Sequence, residues 1–265
     1  MKKNLPAFLF TLTLLPFLLW SNSGRDLPPD GSLLRNFTRL PNFQSGSFLQ
    51  HYLPPEMKKD TPAVILVHGL FMNGYHMSYL GVRLSKLGYY CITYDYPTRR
   101  KTISGHGEDF RILLEDFCRK NPHRKIHIIT HSMGGLLTRY ALGNLTPGEG
   151  GNIRSVLMLA PPNHGSATAD FVCKYLEKLC VYFPPVPGLR TAPDSECRNL
   201  PMIPERIRLG ILGADLDHLV NRHSATLQGM DHFELIRFQT HSSLPLSPKV
   251  FPRITAFLRE STSAH

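Results

Sequence analysis

The chain has little that would hold a metal. Its histidines include no H-E-x-x-H and its five cysteines no C-x-x-C, so the common zinc and dithiol signatures are missing. No internal repeat interrupts the sequence, and no shift of composition marks a second domain. Lys and Arg outnumber Asp and Glu, giving a net charge of +10. These charges are scattered, with one dense spot at Arg99-Arg100-Lys101. Without a basic stripe interleaved with aromatics, nucleic acid is not an expected partner. The basic charge is either a solvated loop cluster on an exported protein or a surface suited to peripheral contact with anionic membranes or phospholipids.

Long apolar runs are also scarce, and the clearest one is at the start. Lys2-Lys3 precede an apolar stretch from Leu5 to Trp20, followed by Ser21-Asn22-Ser23-Gly24. A basic region, a hydrophobic region and small residues read as a secretory signal over 1–23. The same run, with Pro6 and Pro16 inside it, is just long enough for an N-terminal anchor. No cysteine stands at the boundary, which argues against lipoprotein attachment. About 240 residues then remain, one ordinary domain with a sizeable core. Residues 24–60 read as an arm and first strands, with a hairpin that includes Ser47 to Tyr52. Residues 61–265 read as the catalytic domain, with a cap insertion at about 163–204.

The most informative stretch is Thr130-His131-Ser132-Met133-Gly134-Gly135. It follows a β-branched run, Ile126-His127-Ile128-Ile129, and leads into Leu136 to Leu142, which has helical spacing. Strand, tight turn with a serine at its tip, then helix is the layout of a nucleophile elbow. Small residues are needed there, because the serine backbone is strained and the helix passes close to the strand. Gly134 meets that need on the helix side; Thr130 stands where the G-x-S-x-G pattern has its first glycine. Upstream, Ala63 to Val67 reads as a fully buried strand running into His68-Gly69-Leu70-Phe71. That arrangement points to an oxyanion hole made by the amides of Leu70 and Met133. Two such donors are worth roughly 3 kcal/mol each in comparable sites.

Taken with Leu159-Ala160-Pro161-Pro162-Asn163-His164-Gly165-Ser166, these motifs resemble an α/β hydrolase of the bacterial lipase/esterase type over about residues 60 to 260. The resemblance implies an α/β fold: a mainly parallel central sheet, helices on both faces, and a small cap after the nucleophile helix. The strands alternating with helices, including Tyr89 to Asp95 and a helix over Gly107 to Lys120, agree with that architecture. It further implies hydrolysis of carboxylic esters through an acyl-enzyme, with an acyl ester or lipid as substrate and no metal or organic cofactor. The same triad also serves acyltransferases and thioesterases, and a non-catalytic lipid-binding protein is a further alternative.

The fold orders its triad Ser, Asp/Glu, His along the chain. Arg208 to Gly213 reads as a strand, and both Asp215 and Asp217 follow it. Similar lipases often place the acid in D-x-x-V with S-A shortly after; Asp217-His218-Leu219-Val220 and Ser224-Ala225 fit that frame, whereas Asp215 does not. For the base, His241 lies in the loop between the strand Phe233 to Phe238 and a closing helix patterned over Pro248 to Leu258. His223 and His232 are rivals from the same region. His131 is expected to be structural, and His164 could line the pocket.

In the cap, Phe171, Val172, Tyr175, Leu176, Leu179, Tyr182 and Phe183 recur at helical spacing. They form either the face of a helix turned to an acyl chain or lipid surface, or one packed on the domain. On one straight helix Cys173 and Cys180 would be about 10 Å apart, too far to bond. Any cap disulfide is therefore expected to use Cys197, with Cys91 and Cys118 as buried thiols.

Overall fold

The computed structural model describes residues 47–263, and of 262 and 263 only the backbone. The leader expected over 1–23, and the arm up to residue 46, lie outside the described residues. Among the described residues there are seven strands: β1 (Phe48–Tyr52), β2 (Ala63–Val67), β3 (Tyr90–Asp95), β4 (Ile126–His131), β5 (Ile153–Leu159), β6 (Arg208–Ala214) and β7 (His232–Ile236). They form one sheet in the order β1-β3-β2-β4-β5-β6-β7. β2 to β7 run parallel and β1 pairs antiparallel with β3. The helices are α1 (Ser78–Lys86), α2 (Ile103–Lys120), α3 (Met133–Gly143), α4 (Ala167–Tyr175), α5 (Glu177–Tyr182), α6 (Pro185–Gly188), α7 (Glu196–Asn199), α8 (Arg222–Ala225) and α9 (Phe251–Ser263).

The unbroken apolar run of β2 has a direct cause in this layering. Ala63, Ile65 and Val67 enter the core shared with Phe110 and Leu114 of α2 and Leu136 and Leu137 of α3. Val64 and Leu66 enter the opposite core, with Leu80 and Leu84 of α1 and Ile254 and Leu258 of α9. A strand covered on both faces has no position to spare for polar residues. The same constraint corrects the expected hairpin. β2 must lie inside the sheet, so Phe48 to Tyr52, which are exposed or half-buried, form the antiparallel edge on β3 instead.

Helix α2 begins at Ile103, four residues before the expected Gly107. Thr102 caps it, its Oγ1 accepting from the Gly105 amide at 3.2 Å. Gly105 and Gly107 had obscured that start, since glycine is a poor helix former.

The cap departs most from expectation. Between β5 and β6 the chain forms four short helices, α4 to α7, rather than one helix through Phe171 to Phe183. The helix breaks at Leu176, at φ −131° and ψ 49°. That break turns α5 back, brings the Cα atoms of Cys173 and Cys180 to 4.8 Å, and the two cysteines form a disulfide. The straight-helix premise was therefore wrong. Cys197 is a buried free thiol, like Cys91 and Cys118. Most of the large apolar cap residues are not packed down: Phe171, Tyr175, Leu179 and Tyr182 are exposed.

Within β4, His127 is fully buried, with Nδ1 2.8 Å from Ser155 Oγ. Burial lowers its pKa from the ordinary 6.5 to about 4. The unfolded chain therefore binds this proton at a higher pH than the folded chain. Stability should fall as pH drops from 6.5 towards 4, by an amount on the order of 3 kcal/mol from this group. Replacing both partners, His127→Leu with Ser155→Ala, is expected to make that part of the stability profile less steep, read by urea denaturation at a series of pH values, while the other buried histidines keep their share of the slope. An unchanged slope would place the acid sensitivity in other groups.

Candidate active site

The site gathers at the carboxyl ends of the parallel strands, where the loops of an open α/β sheet converge. Ser132 stands between β4 and α3 with φ +52° and ψ −127°, a backbone state that L side chains seldom adopt. It is held by its neighbours. The Ser132 amide donates to the Leu159 carbonyl at 2.8 Å, and Gly135 donates back to the Ser132 carbonyl at 2.9 Å.

Two glycines allow the surrounding backbone to close on this turn. A Cβ at Gly134 would stand 2.7 Å from the carbonyl oxygens of Val67 and His68, and one at Gly69 would stand 2.8 Å from Ser132 Cβ. The loop after β2 and the elbow therefore touch, and the amides of Leu70 and Met133 lie on the two segments that meet at Ser132. Met133 opens α3, so its N–H has no acceptor within the helix. Thr130, the departure from the glycine pattern, is accommodated by Gly135: a Cβ there would come within 3.3 Å of Thr130 Oγ1.

Asp217 and His241 reach the serine from two further loops. Ser132 Oγ lies 2.9 Å from His241 Nε2, and His241 Nδ1 lies 2.8 Å from Asp217 Oδ2. Both the imidazole and the carboxylate are buried, their side chains 9% and 0% exposed. Asp217 Oδ1 meanwhile accepts from the amides of Leu219 at 2.9 Å and Val220 at 2.8 Å, which fixes the carboxylate in its turn. With Nδ1–H donating to the carboxylate, the Nε2 lone pair is left to accept from the serine hydroxyl.

Asp215 has a different task. Its carboxylate accepts from the Gln239 amide at 3.1 Å, and the Leu216 amide donates to the Gln239 carbonyl at 2.9 Å. Backbone amides around Phe238 and Gln239 hold its pKa below the usual carboxylate range. Asp215 thus orders the backbone that carries His241, while Asp217 orders its ring.

The other histidines take separate places. His131 is fully buried; its Nε2–H donates to the His241 carbonyl at 2.9 Å, and its Nδ1 faces Met72 Sδ at 3.2 Å. Burial drives its pKa far below 6.5, so it is a neutral support beneath His241. His68 is also buried, contacting Asp95 Oδ1 at 3.1 Å and the Gly69 carbonyl at 3.0 Å, with its ring stacked on Tyr96. His164 stacks on His223 instead of meeting the serine, His232 lies against Glu234, and His218 is exposed.

Sequence reasoning missed what the P-P-N-H-G-S segment does: it braces the acid loop. Ser166 Oγ donates to the Leu219 carbonyl at 2.7 Å, Asn163 Nδ2 to the Ala225 carbonyl at 2.9 Å, and Ser224 Oγ to the Gly165 carbonyl. Gly165 has φ +90°, and a Cβ there would stand 2.4 Å from the Arg190 carbonyl oxygen. Clustered polar residues in so buried a loop were the available signal. Also missed was Arg139 of α3. Its buried guanidinium donates to the carbonyls of Cys197 at 2.9 Å, Leu200 at 2.6 Å and Pro201 at 3.1 Å.

A family model described as the α/β-hydrolase fold matches residues 62–179. No curated protein matches the chain. Among solved structures, the mature Bacillus licheniformis lipase BlEst2 is similar at 18% identity and a TM-score of 0.64, over 81% of this chain and 98% of that one. A thermophilic esterase from Thermogutta terrifontis, solved with propionate bound, is similar at 16% identity and a TM-score of 0.55, over 81% and 89%. A bromoperoxidase from Bacillus anthracis is similar at 15% identity and a TM-score of 0.53, over 80% and 95%. Elbow, sheet order and family match agree on the α/β-hydrolase fold.

Proposed function

We propose that this protein is an exported serine hydrolase that cleaves carboxylic esters through an acyl-enzyme on Ser132. The observation that carries the reading is the continuous relay from Ser132 Oγ through His241 to Asp217, at 2.9 Å and 2.8 Å. Fold alone would not suffice, because one fold hosts unrelated chemistries, and the structures it resembles include both esterases and a bromoperoxidase.

In this reading His241 Nε2 takes the hydroxyl proton as Ser132 attacks the ester carbonyl. Asp217 stabilises the imidazolium that forms, and the amides of Leu70 and Met133 receive the oxyanion. The positive end of α3 points at the same place. The imidazolium then protonates the departing alcohol, and His241 activates the water that releases the acid. Neutral His131 fixes the base from below without placing a second positive charge beside it. Lipid esters are the favoured substrates, because the cap next to this region exposes Phe171, Tyr175, Leu179, Val181 and Tyr182. Export rests on the leader over 1–23. The Cys173–Cys180 disulfide supports it, since such bonds persist in oxidising compartments.

Turnover of p-nitrophenyl esters from acetate to palmitate tests the reading. Ser132→Ala is expected to lower kcat about 10⁶-fold and Asp217→Asn about 10⁴-fold, with thermal melting unchanged. Hydrolysis that survives in Ser132→Ala would remove the acyl-enzyme. Gly134→Ala probes the close approach. Its new methyl group meets two backbone carbonyls, so the elbow must move, and a displacement near 1 Å costs about 100-fold in kcat/KM. Wild-type rates of Ser132 labelling by a fluorophosphonate in that variant would show that the approach does not set the geometry.

A further inference from the structure

The broken cap helix ends against the loop that follows β2. Phe183, directly after α5, packs its ring edge-on to Phe71, with centroids 5.1 Å apart and planes at 85°. Tyr182 packs on Phe183 at 5.0 Å, and the Arg99 guanidinium lies 5.8 Å from the same ring. Phe71 is the residue after Leu70. It is held at φ +59°, an unusual state for a bulky side chain, and its amide donates to Thr98 Oγ1 at 3.2 Å. A cap residue and the loop bearing the Leu70 amide therefore meet in one aromatic contact, while Phe71 remains 37% exposed.

What places Phe183 there is the elbow between α4 and α5. Six residues are too few for α5 to be stable alone. Within α5 only Cys180 is buried, and its sulfur is bonded to Cys173 of α4. The disulfide closes the turn at Leu176. The Phe183 amide then hangs from α5 through the Leu179 carbonyl at 3.1 Å.

We infer that the Phe71–Phe183 pair is the acyl-chain selectivity element of this site, and that the Cys173–Cys180 disulfide sets it by fixing the elbow from which Phe183 is suspended. The inference rests on the ester-hydrolase reading above. An acyl chain leaving Ser132 past the Leu70 side of the oxyanion hole meets this aromatic wall. Its position decides how many methylene groups can follow the carbonyl. A short acyl group does not reach the wall and is indifferent to it.

The test compares kcat/KM for p-nitrophenyl butyrate and p-nitrophenyl laurate in the wild type, Phe183→Ala, the paired Cys173→Ser/Cys180→Ser variant, and the combination of all three substitutions. The laurate-to-butyrate ratio is expected to change about tenfold or more in Phe183→Ala, the scale of pocket discrimination by chain length. It should change in the same direction in the cysteine pair, and the triple variant should go no further than Phe183→Ala alone. Phe183→Tyr should restore the wild-type ratio, which a general loss of stability would not allow. An equal loss on both esters, or a ratio within twofold of wild type in Phe183→Ala, overturns the inference. So does additivity in the triple variant, which would place the disulfide's effect elsewhere. If the cysteine pair fails to fold, a double-mutant cycle between Phe71→Ala and Phe183→Ala decides the matter, with coupling expected in the laurate rate and none in the butyrate rate. Ser132-dependent hydrolysis with an unmoved ratio sinks only this inference; wild-type protein that neither turns over butyrate nor labels at Ser132 sinks the ester reading along with it.

Discussion

The site depends on one close approach between two stretches of backbone. The loop after β2 presses on the turn after β4 because Gly69 and Gly134 leave no side chain between them. With that contact in place, Ser132 is held at positive φ with its hydroxyl facing the loops, and the amides of Leu70 and Met133 lie beside it. Strain of this kind persists only where the surroundings over-determine it. Here the determinants are the bonds of the Ser132 amide to β5 and of its carbonyl to Gly135, along with the buried strands on both sides. The parallel sheet is thus what keeps an unfavourable backbone state in place.

His241 and Asp217 arrive on two loops, and cross-links of ordinary polar chemistry hold both loops in place. Asp215 and the Leu216 amide tie the acid loop to Gln239. Asn163, Gly165 and Ser166 tie it to the loop after β5. His131 ties the nucleophile strand to the His241 backbone. Each link is buried or half-buried, where a hydrogen bond is costly to leave unmade. Keeping Ser132, His241 and Asp217 in register therefore falls to several residues outside the relay itself.

Much of this was legible in the sequence, for reasons that differ by element. Ala63 to Val67 and Ile126 to Ile129 announce buried strands because parallel strands covered on both faces exclude polar residues. The elbow announces itself because its turn tolerates so few residue types. Asp217 could be separated from Asp215 only through the frame of a resemblance; locally, both are exposed-looking acids after a strand. The cap was illegible for a physical reason. Apolar residues at helical spacing indicate a period but carry no sign of where a helix bends, and the break at Leu176 has no proline or glycine to mark it. Once the helix was read as straight, the cysteine pairing that followed was necessarily wrong, because seven residues of continuous helix separate two sulfurs that a single bend brings together.

Arg139 shows how such a cap can be rebuilt without disturbing the elbow. Its guanidinium is buried, and burial lowers its pKa to about 10, which still leaves it charged at neutral pH. A buried charge without compensation would be severely destabilising. Its compensation comes from oxygen dipoles: three backbone carbonyls from 197 to 201 and the Asn163 side-chain oxygen at 3.3 Å surround it. Main-chain carbonyls exist whatever the side chains are, so the cap exit can stay docked on α3 while its sequence varies. Asn163 is one of the residues that brace the acid loop, so the same cation also joins the cap to the triad's supports. The cap is therefore fastened at its exit by a charge and at its elbow by a disulfide. Between those two fixed points lie the short helices and their exposed aromatic side chains, the part of the molecule that the proposed ester-hydrolase reading leaves to fit a substrate.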